Sequence, residues 1–174
     1  IHQQHPFITV WDDHETANDS YKDGADNHDE ATEGDWEERK SNGKTAYFEW
    51  MPIRDTETQT VHRNISYGSL VDLIMLDTRL IGRVQQADSI DMPNFYSEER
   101  TILGEEQREW LKTQLRDSQA QWKVVGNQVI FSKLLLDLLL DITPLAEQII
   151  IDIWSGYPYD QDQIMNHIKD NNID

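Results

Sequence analysis

The sequence contains no cysteine. This absence excludes disulfide bonds, zinc sites built on thiolates and a cysteine nucleophile. It also means that the redox state of the protein's compartment cannot be inferred from the sequence.

Positive charge is scarce as well. Fifteen Lys and Arg residues stand against 33 Asp and Glu, which gives a formal net charge of −18 and a sequence pI of about 4.5. Such a surface repels the phosphates of nucleic acids and anionic membranes, so we expect neither as a binding partner. A solvated, salt-tolerant surface explains most of this acidity, but we expect some of the carboxylates to serve bound cations.

Long apolar segments and targeting signals are also missing. The apolar run Leu134–Leu140 is interrupted by Asp137, and no stretch reaches the length of a transmembrane helix. The N-terminus, which begins at Ile1, lacks the positively charged region of a signal peptide. Because the chain starts without Met and stops in mid-pattern at Asp174, we expect it to be a piece of a longer protein.

The residues that are present favour one folded domain of the α/β class. A hydrophobic fraction of 37% with six Trp and six Tyr residues supports a real core. Patterning predicts strands at 8–11, 61–67, 70–76 and 122–131, helices at about 36–51, 104–118 and 161–171, and an aromatic turn at 154–158. The order strand, helix, strand between 70 and 131 predicts a right-handed parallel crossover.

Three acids and a histidine follow the first predicted strand directly, in the order Asp12-Asp13-His14-Glu15. Open α/β sheets bind ligands at the carboxyl ends of their strands. Crowded acids are costly unless a cation or a charged substrate lies among them. Carboxylates suit calcium, magnesium or ferric iron, and a neutral histidine can hydrogen-bond a phosphoryl oxygen. The structural alternative is an N-cap aspartate beside a surface histidine.

Segments along nearly the whole chain resemble the PhoD family of alkaline phosphatases, within the broader metallophosphoesterase-like enzymes. They occur in the family's order, which is more specific than any single segment. The matching segments are Phe7–Glu15, Asn18–Tyr21, Gly34–Trp36, Ala46–Arg54, Leu76–Arg79, Leu103-Gly104 with Gln107 and Trp110-Leu111, Trp122–Val129 and Trp154–Pro158.

The resemblance implies hydrolysis of phosphate esters in an active site with Fe³⁺ and Ca²⁺, in a periplasmic or extracellular protein. It implies a metallophosphatase-like fold of layered sheet and helices, of which residues 1–174 form the central portion, truncated at both ends. Set against the family's pattern, Asp13 takes a metal-ligand position and His14 faces the phosphate, while Asp12 and Asn18 are weaker candidates for the metal shell. Two such cations can hold a phosphate and activate a water.

Other matched residues have two interpretations each. Arg79 ends a predicted strand, so it either clamps a phosphate or forms an internal salt bridge, and the same choice applies to Arg54. Gln128 either coordinates a metal or caps a turn. Trp154 and Tyr157 belong to the substrate pocket or pack a loop over the site.

Departures from the family pattern leave a second class of function open. Ser155 stands where the resemblance leads us to expect Asp, and the family's Cys, Asp-x-x-Tyr and Gly-Asp-x-His motifs have no counterpart in the sequence. We therefore expect the isolated chain to hold part of the metal site and to hydrolyse little. The alternative is a non-catalytic acidic module, derived from this family, that binds calcium and a partner.

Overall fold

The computed structural model describes residues 2–54, 57–133 and 144–173, with the backbone alone for 144–146. It is a mixed α/β structure, as the sequence predicted. Its elements are α1 (Glu30–Glu33), α2 (Trp36–Trp50), β1 (Arg63–Tyr67), β2 (Val71–Met75), α3 (Gly104–Asp117), β3 (Trp122–Gly126), α4 (Pro144–Asp152), a 3₁₀ turn (Trp154–Gly156) and α5 (Pro158–Asp170).

The three strands form one sheet in the order β1-β2-β3. β1 and β2 make an antiparallel hairpin that closes at the pair Tyr67↔Val71, and Gly68 supplies the positive φ of +59° that this tight turn needs. β2 and β3 run parallel, with α3 between them in the chain. The predicted parallel pair is thus confirmed.

The predicted strand Ile8–Trp11 is wrong. Within the described residues this segment pairs with no strand, and the Arg63 guanidinium donates to the Thr9 carbonyl at 2.9 Å in place of a neighbouring backbone amide. Phe7 and Ile8 are exposed, whereas Trp11 is buried. The apolar run therefore reflects one anchoring indole ring rather than a sheet strand.

The third predicted strand is shorter and more exposed than expected. It ends at Gly126 instead of Phe131, and Trp122 and Val124 are exposed. In the described part of the chain β3 pairs on one side only, with β2. Beyond Gly126 the Gln128 side chain donates to the Leu76 carbonyl, so a side-chain bond replaces backbone pairing at this point.

Helix signals in the sequence were more reliable. α2 ends at Trp50, two residues before Pro52. Asp35 caps its first turn by accepting from the Glu38 amide at 2.9 Å. α3 begins at Gly104, within one residue of the predicted start. The short α1 and α4 were not predicted.

Two groups of buried apolar side chains hold these elements together. One lies between β2, α3 and the aromatic turn and includes Ile74, Leu111, Leu115, Trp154 and Tyr157. The other packs Trp11 against α2 and includes Trp36, Tyr47, Phe48, Val61 and Leu80. Each fully buried side chain of this kind contributes about 1.5–3 kcal/mol.

Two observations complete the fold. In the described ranges no helix is long and apolar enough to cross a membrane. The apolar run Leu134–Leu140 lies outside the described residues.

Candidate functional site

The turn after β2 places Arg79. Asp77 caps this turn, because its Oδ1 accepts from the backbone amides of Arg79 and Leu80, both at 2.9 Å. Gln107 of α3 holds Asp77 from the other side: its Oε1 accepts from the Asp77 amide at 2.8 Å and its Nε2 donates to the Asp77 carbonyl at 2.7 Å. The backbone that carries Arg79 is therefore fixed by buried hydrogen bonds on both sides.

The Arg79 guanidinium lies among carboxylates. Its Nε donates to Asp12 Oδ1 at 2.7 Å, and its Nη1 and Nη2 donate to the two oxygens of Asp152 at 2.7 and 2.9 Å. Burial alone would lower the pKa of Arg79, but its bonds and charge pairs with Asp152 and Asp12 raise that pKa. Of the two interpretations of Arg79, the geometry favours the internal ion pair, with Asp12 and Asp152 as partners.

Asp152, at the end of α4, is a residue that the sequence did not predict. Besides Arg79, its carboxylate accepts from Arg83 Nη2 at 2.5 Å and from Gln86 Nε2 at 3.1 Å. Burial would raise the pKa of Asp152, yet the Arg79 bonds and the Arg83 charge hold that pKa below its ordinary value. The feature of the sequence that could have pointed to Asp152 is an acid inside the apolar run 149–153, which ends directly before Trp154.

Asp13 accepts the hydrogen bonds that shape the turn after it. Its carbonyl accepts from the amides of Thr16 and Ala17, both at 2.9 Å, and its Oδ2 accepts from the Asp19 amide at 2.8 Å. Its Oδ1 lies 3.9 Å from Arg79 Nη2. The side chain is thus nearly enclosed between the loop that it organises and a positive charge.

His14 projects from this loop into solvent, with 76% of its side chain exposed. Its Nε2 lies 3.0 Å from Asn18 Oδ1 and 3.6 Å from Asp13 Oδ2. The Asn18 hydrogen bond and the Asp13 charge raise the pKa of His14 above 6.5. The structure therefore brings four predicted residues together, Asp12, Asp13, His14 and Asn18.

An acidic cleft of about 450 Å³ adjoins this loop. The pKa of Asp19 on its wall is raised, first by burial and then by the charge of Asp152. An anionic substrate is repelled here unless bound cations reverse the local field. The cleft is lined by Asn18, Asp19, Tyr21, Asp26, Gln85, Gln86, Ala87, Asp88, Gln148, Ile151 and Asp152.

The described residues do not fit a complete metal centre. Among them there is no group of three or more His, Asp or Glu side chains that could hold a metal ion. Asp12 is engaged by Arg79. Asp13 and Asn18 place oxygen atoms of the kind that suits Ca²⁺ or Fe³⁺ within 3.6 Å of His14 Nε2.

Gln128 bonds the segment that follows β2. Its Oε1 accepts from Thr78 Oγ1 at 2.8 Å and its Nε2 donates to the Leu76 carbonyl at 2.9 Å. These contacts match the interpretation of Gln128 as a residue that caps a turn.

The two aromatic candidates are buried and bonded within the core. Trp154 Nε1 donates to Asn127 Oδ1 at 3.0 Å, and Tyr157 Oη donates to the Val84 carbonyl at 2.8 Å. Their contacts match packing more closely than direct contact with a substrate. Ser155 between them is also buried, and in the described part of the chain its hydroxyl has no hydrogen-bond partner.

Arg54 is exposed and lines a different cleft, which it shares with Phe7, Ile8 and residues of β1. No described contact connects it to Arg79 or His14. The structure therefore does not bring Arg54 to the other candidates.

Comparisons with known proteins agree on one family. The family model described as PhoD-like phosphatase matches residues 1–174. Alkaline phosphatase D of Bacillus subtilis (strain 168) is 30% identical over 185 residues, covering 99% of this chain and 30% of that protein. A solved structure of PhoD superimposes with a TM-score of 0.74 and 30% identity, covering 96% of this chain and 32% of that one. The chain spans about a third of the length of these relatives.

Proposed function

The chain belongs to the PhoD-like phosphatase family, and from this premise we propose that it takes part in the hydrolysis of phosphoric esters. The observation that carries the proposal is the family match over all of residues 1–174. The proposed substrate is a phosphate monoester or diester, and we place the protein in the periplasm or outside the cell.

The loop from Asp12 to Asp19 supplies the phosphate-facing part of the proposed site. His14 is exposed and carries its proton to a higher pH than an ordinary histidine, because its pKa is raised by Asn18 and Asp13. A protonated imidazole attracts a phosphoryl oxygen and can give its proton to a leaving group. Asp13 is a suitable oxygen donor for Ca²⁺ or Fe³⁺, but the described residues offer no complete ligand set. The proposal therefore assigns only His14 and Asp13 direct roles.

Steady-state hydrolysis tests this proposal. Residues 1–174 replace the matching segment of Bacillus subtilis alkaline phosphatase D, and turnover of p-nitrophenyl phosphate and bis(p-nitrophenyl) phosphate is measured. We expect Asp13→Ala and His14→Ala each to lower kcat by about 10²–10⁴-fold, the usual contribution of a positioned acid or base. His5→Ala and Asp162→Ala, at exposed positions, serve as matched controls. A folded chimera whose turnover is absent, or unaffected by His14→Ala, would contradict the proposal.

A calcium-binding module remains the second candidate, favoured by the acidic cleft together with the incomplete ligand set. Calorimetric titration of the 174-residue chain with Ca²⁺ distinguishes the two. Binding that is lost in Asp13→Ala, in a protein whose chimera does not hydrolyse esters, would favour the module.

A further inference from the structure

We propose that Asp152 is a positioning residue that anchors the loop carrying Asp13 and His14. Its consequence for catalysis rests on the proposed function, whereas the anchoring itself does not. Two separate series of hydrogen bonds, called chains of bonds below, connect this loop to the Asp152 carboxylate.

The first chain of bonds runs through Arg79. The guanidinium uses two nitrogens on Asp152 and its third nitrogen on Asp12, the residue directly before Asp13. A bidentate pair fixes the plane of a guanidinium and thereby the direction of its remaining N–H groups. Asp152 therefore determines where Nε points, and with it the place of Asp12.

The second chain of bonds runs through Gln86. Its Nε2 donates both to Asp152 Oδ1 at 3.1 Å and to the Asp19 carbonyl at 3.2 Å. The Asp19 amide in turn donates to Asp13 Oδ2 at 2.8 Å. The loop is thus held at both of its ends, at Asp12 and at Asp19, by one carboxylate.

Charge explains why an acid is needed at position 152. Arg79 and Arg83 are 2% and 0% exposed, and both donate to this carboxylate. Without its negative charge two buried cations lose their common partner. Arg79 then keeps its bond to Asp12, whose side chain is 44% exposed, and the more distant charge of Asp13 at 3.9 Å. The direction of the Arg79 guanidinium is then no longer fixed.

Amide hydrogen exchange of the 174-residue chain tests the anchoring without any need for activity. In Asp152→Asn we expect the protected amides of Thr16, Ala17 and Asp19 to exchange at least about tenfold faster, since hydrogen bonds to a charged group are lost. Amides of α3 should keep their rates. Asp160→Asn is the matched control, because it removes another buried carboxylate paired with an arginine, Arg108.

Asp160→Asn should accelerate exchange at residues 102–103 and leave the loop unchanged, because its carboxylate accepts from those two amides. Unchanged rates at Thr16, Ala17 and Asp19 in Asp152→Asn, or equal acceleration of the loop in both variants, would overturn the proposal. If Asp152→Asn unfolds the chain, Gln86→Ala tests the second connection by itself, because it removes only the bonds from Gln86 to Asp19 and Asp152. Faster exchange at Asp19 with unchanged rates at Thr16 and Ala17 is expected, and an unchanged rate at Asp19 would overturn the proposal.

The chimeric phosphatase adds a catalytic readout. We expect Asp152→Asn to lower kcat by about tenfold to a hundredfold with KM changed by less than about threefold, as for a displaced catalytic group. Rescue of most of the lost kcat in Asp152→Glu, which keeps the charge, is also expected. An unchanged kcat would overturn the catalytic role. Absence of hydrolysis in the unmutated chimera would instead refute the proposed function, and the exchange experiment would still decide the anchoring.

Discussion

Asp160 and Asp152 both bind arginines, and they do different things. Asp160 of α5 is completely enclosed and accepts from the amides of Ile102 and Leu103 and from Arg108. All its described partners lie just before or within α3, so it fastens one helix to another. Asp152 keeps 22% of its side chain exposed on the wall of the acidic cleft.

The comparison shows that a buried acid paired with an arginine does not by itself identify a site. Asp152 differs because its partners continue outward, through Arg79 and Gln86, to a loop that presents an exposed His14. The functional signal is this connection from a buried pair to groups that can meet a substrate.

The largest effect on stability is expected at Asp160. Asp160→Ala leaves Arg108 and two backbone amides without their acceptor, and breaking a buried pair in this way costs about 3–5 kcal/mol. Urea denaturation followed by tryptophan fluorescence measures the free energy of unfolding. A loss below about 1 kcal/mol, the size typical of an exposed pair, would show that this cluster does not hold α3 to α5.

A smaller loss is expected at Asp152. Because its side chain is partly exposed, Asp152→Ala should cost about 2–3 kcal/mol of unfolding free energy. The same denaturation experiment applies, with Asp160→Ala alongside. A loss larger than that of Asp160→Ala would reverse the comparison and make Asp152 the main structural anchor.

Lowering the pH should change the stability contributions of Asp152 and Asp77 in opposite directions. The folded pKa of Asp152 lies below its ordinary value of 3.8, so its contribution is complete above that value and is lost as the pH falls through the folded pKa. Burial raises the pKa of Asp77, so its carboxyl costs stability as the pH rises from 3.8 to the folded pKa.

We therefore expect the stability difference between the unmutated chain and Asp152→Asn to be constant above about pH 4 and to shrink below it. The Asp77→Asn variant should become more stable relative to the unmutated chain as the pH rises. Urea midpoints between pH 3 and pH 8 measure both. Trends of the same sign for the two variants would contradict the assignment.

The smallest effect is expected for the exposed pair Lys133–Asp162. Its two side chains are 64% and 55% exposed and lie 2.8 Å apart. Asp162→Asn should change the free energy of unfolding by less than about 1 kcal/mol, and 0.5 M NaCl should reduce even that. A change as large as that of Asp152→Ala would show that burial is not what separates strong from weak pairs in this molecule.

Local patterns predicted the two strands of the hairpin and the longer helices. The helix-ending Pro52 and the apolar spacing of Leu111 and Leu115 are signals that act within a few residues. The group Asp12, Asp13, His14 and Asn18 was predictable for the same reason, since a single loop contains all four.

Contacts between distant segments were not predictable. Arg79 and Asp152 are separated by 73 positions, and no spacing rule connects them. The segment Ile8–Trp11 has the composition of a buried strand, but its Trp11 packs with α2 instead of entering the sheet. Arginine is a residue type that binds phosphate, yet the cleft that Arg54 lines lies on a different part of the surface.

The most direct test is to locate phosphate on the molecule. Two-dimensional ¹H–¹⁵N spectra of the 174-residue chain, recorded as inorganic phosphate is added in the presence of Ca²⁺, report which amides sense the anion. We predict that the largest shifts fall at residues 13–19. The largest shifts at residues 53–66, around Arg54, or unchanged signals at residues 13–19 at saturating phosphate would contradict the location of the site.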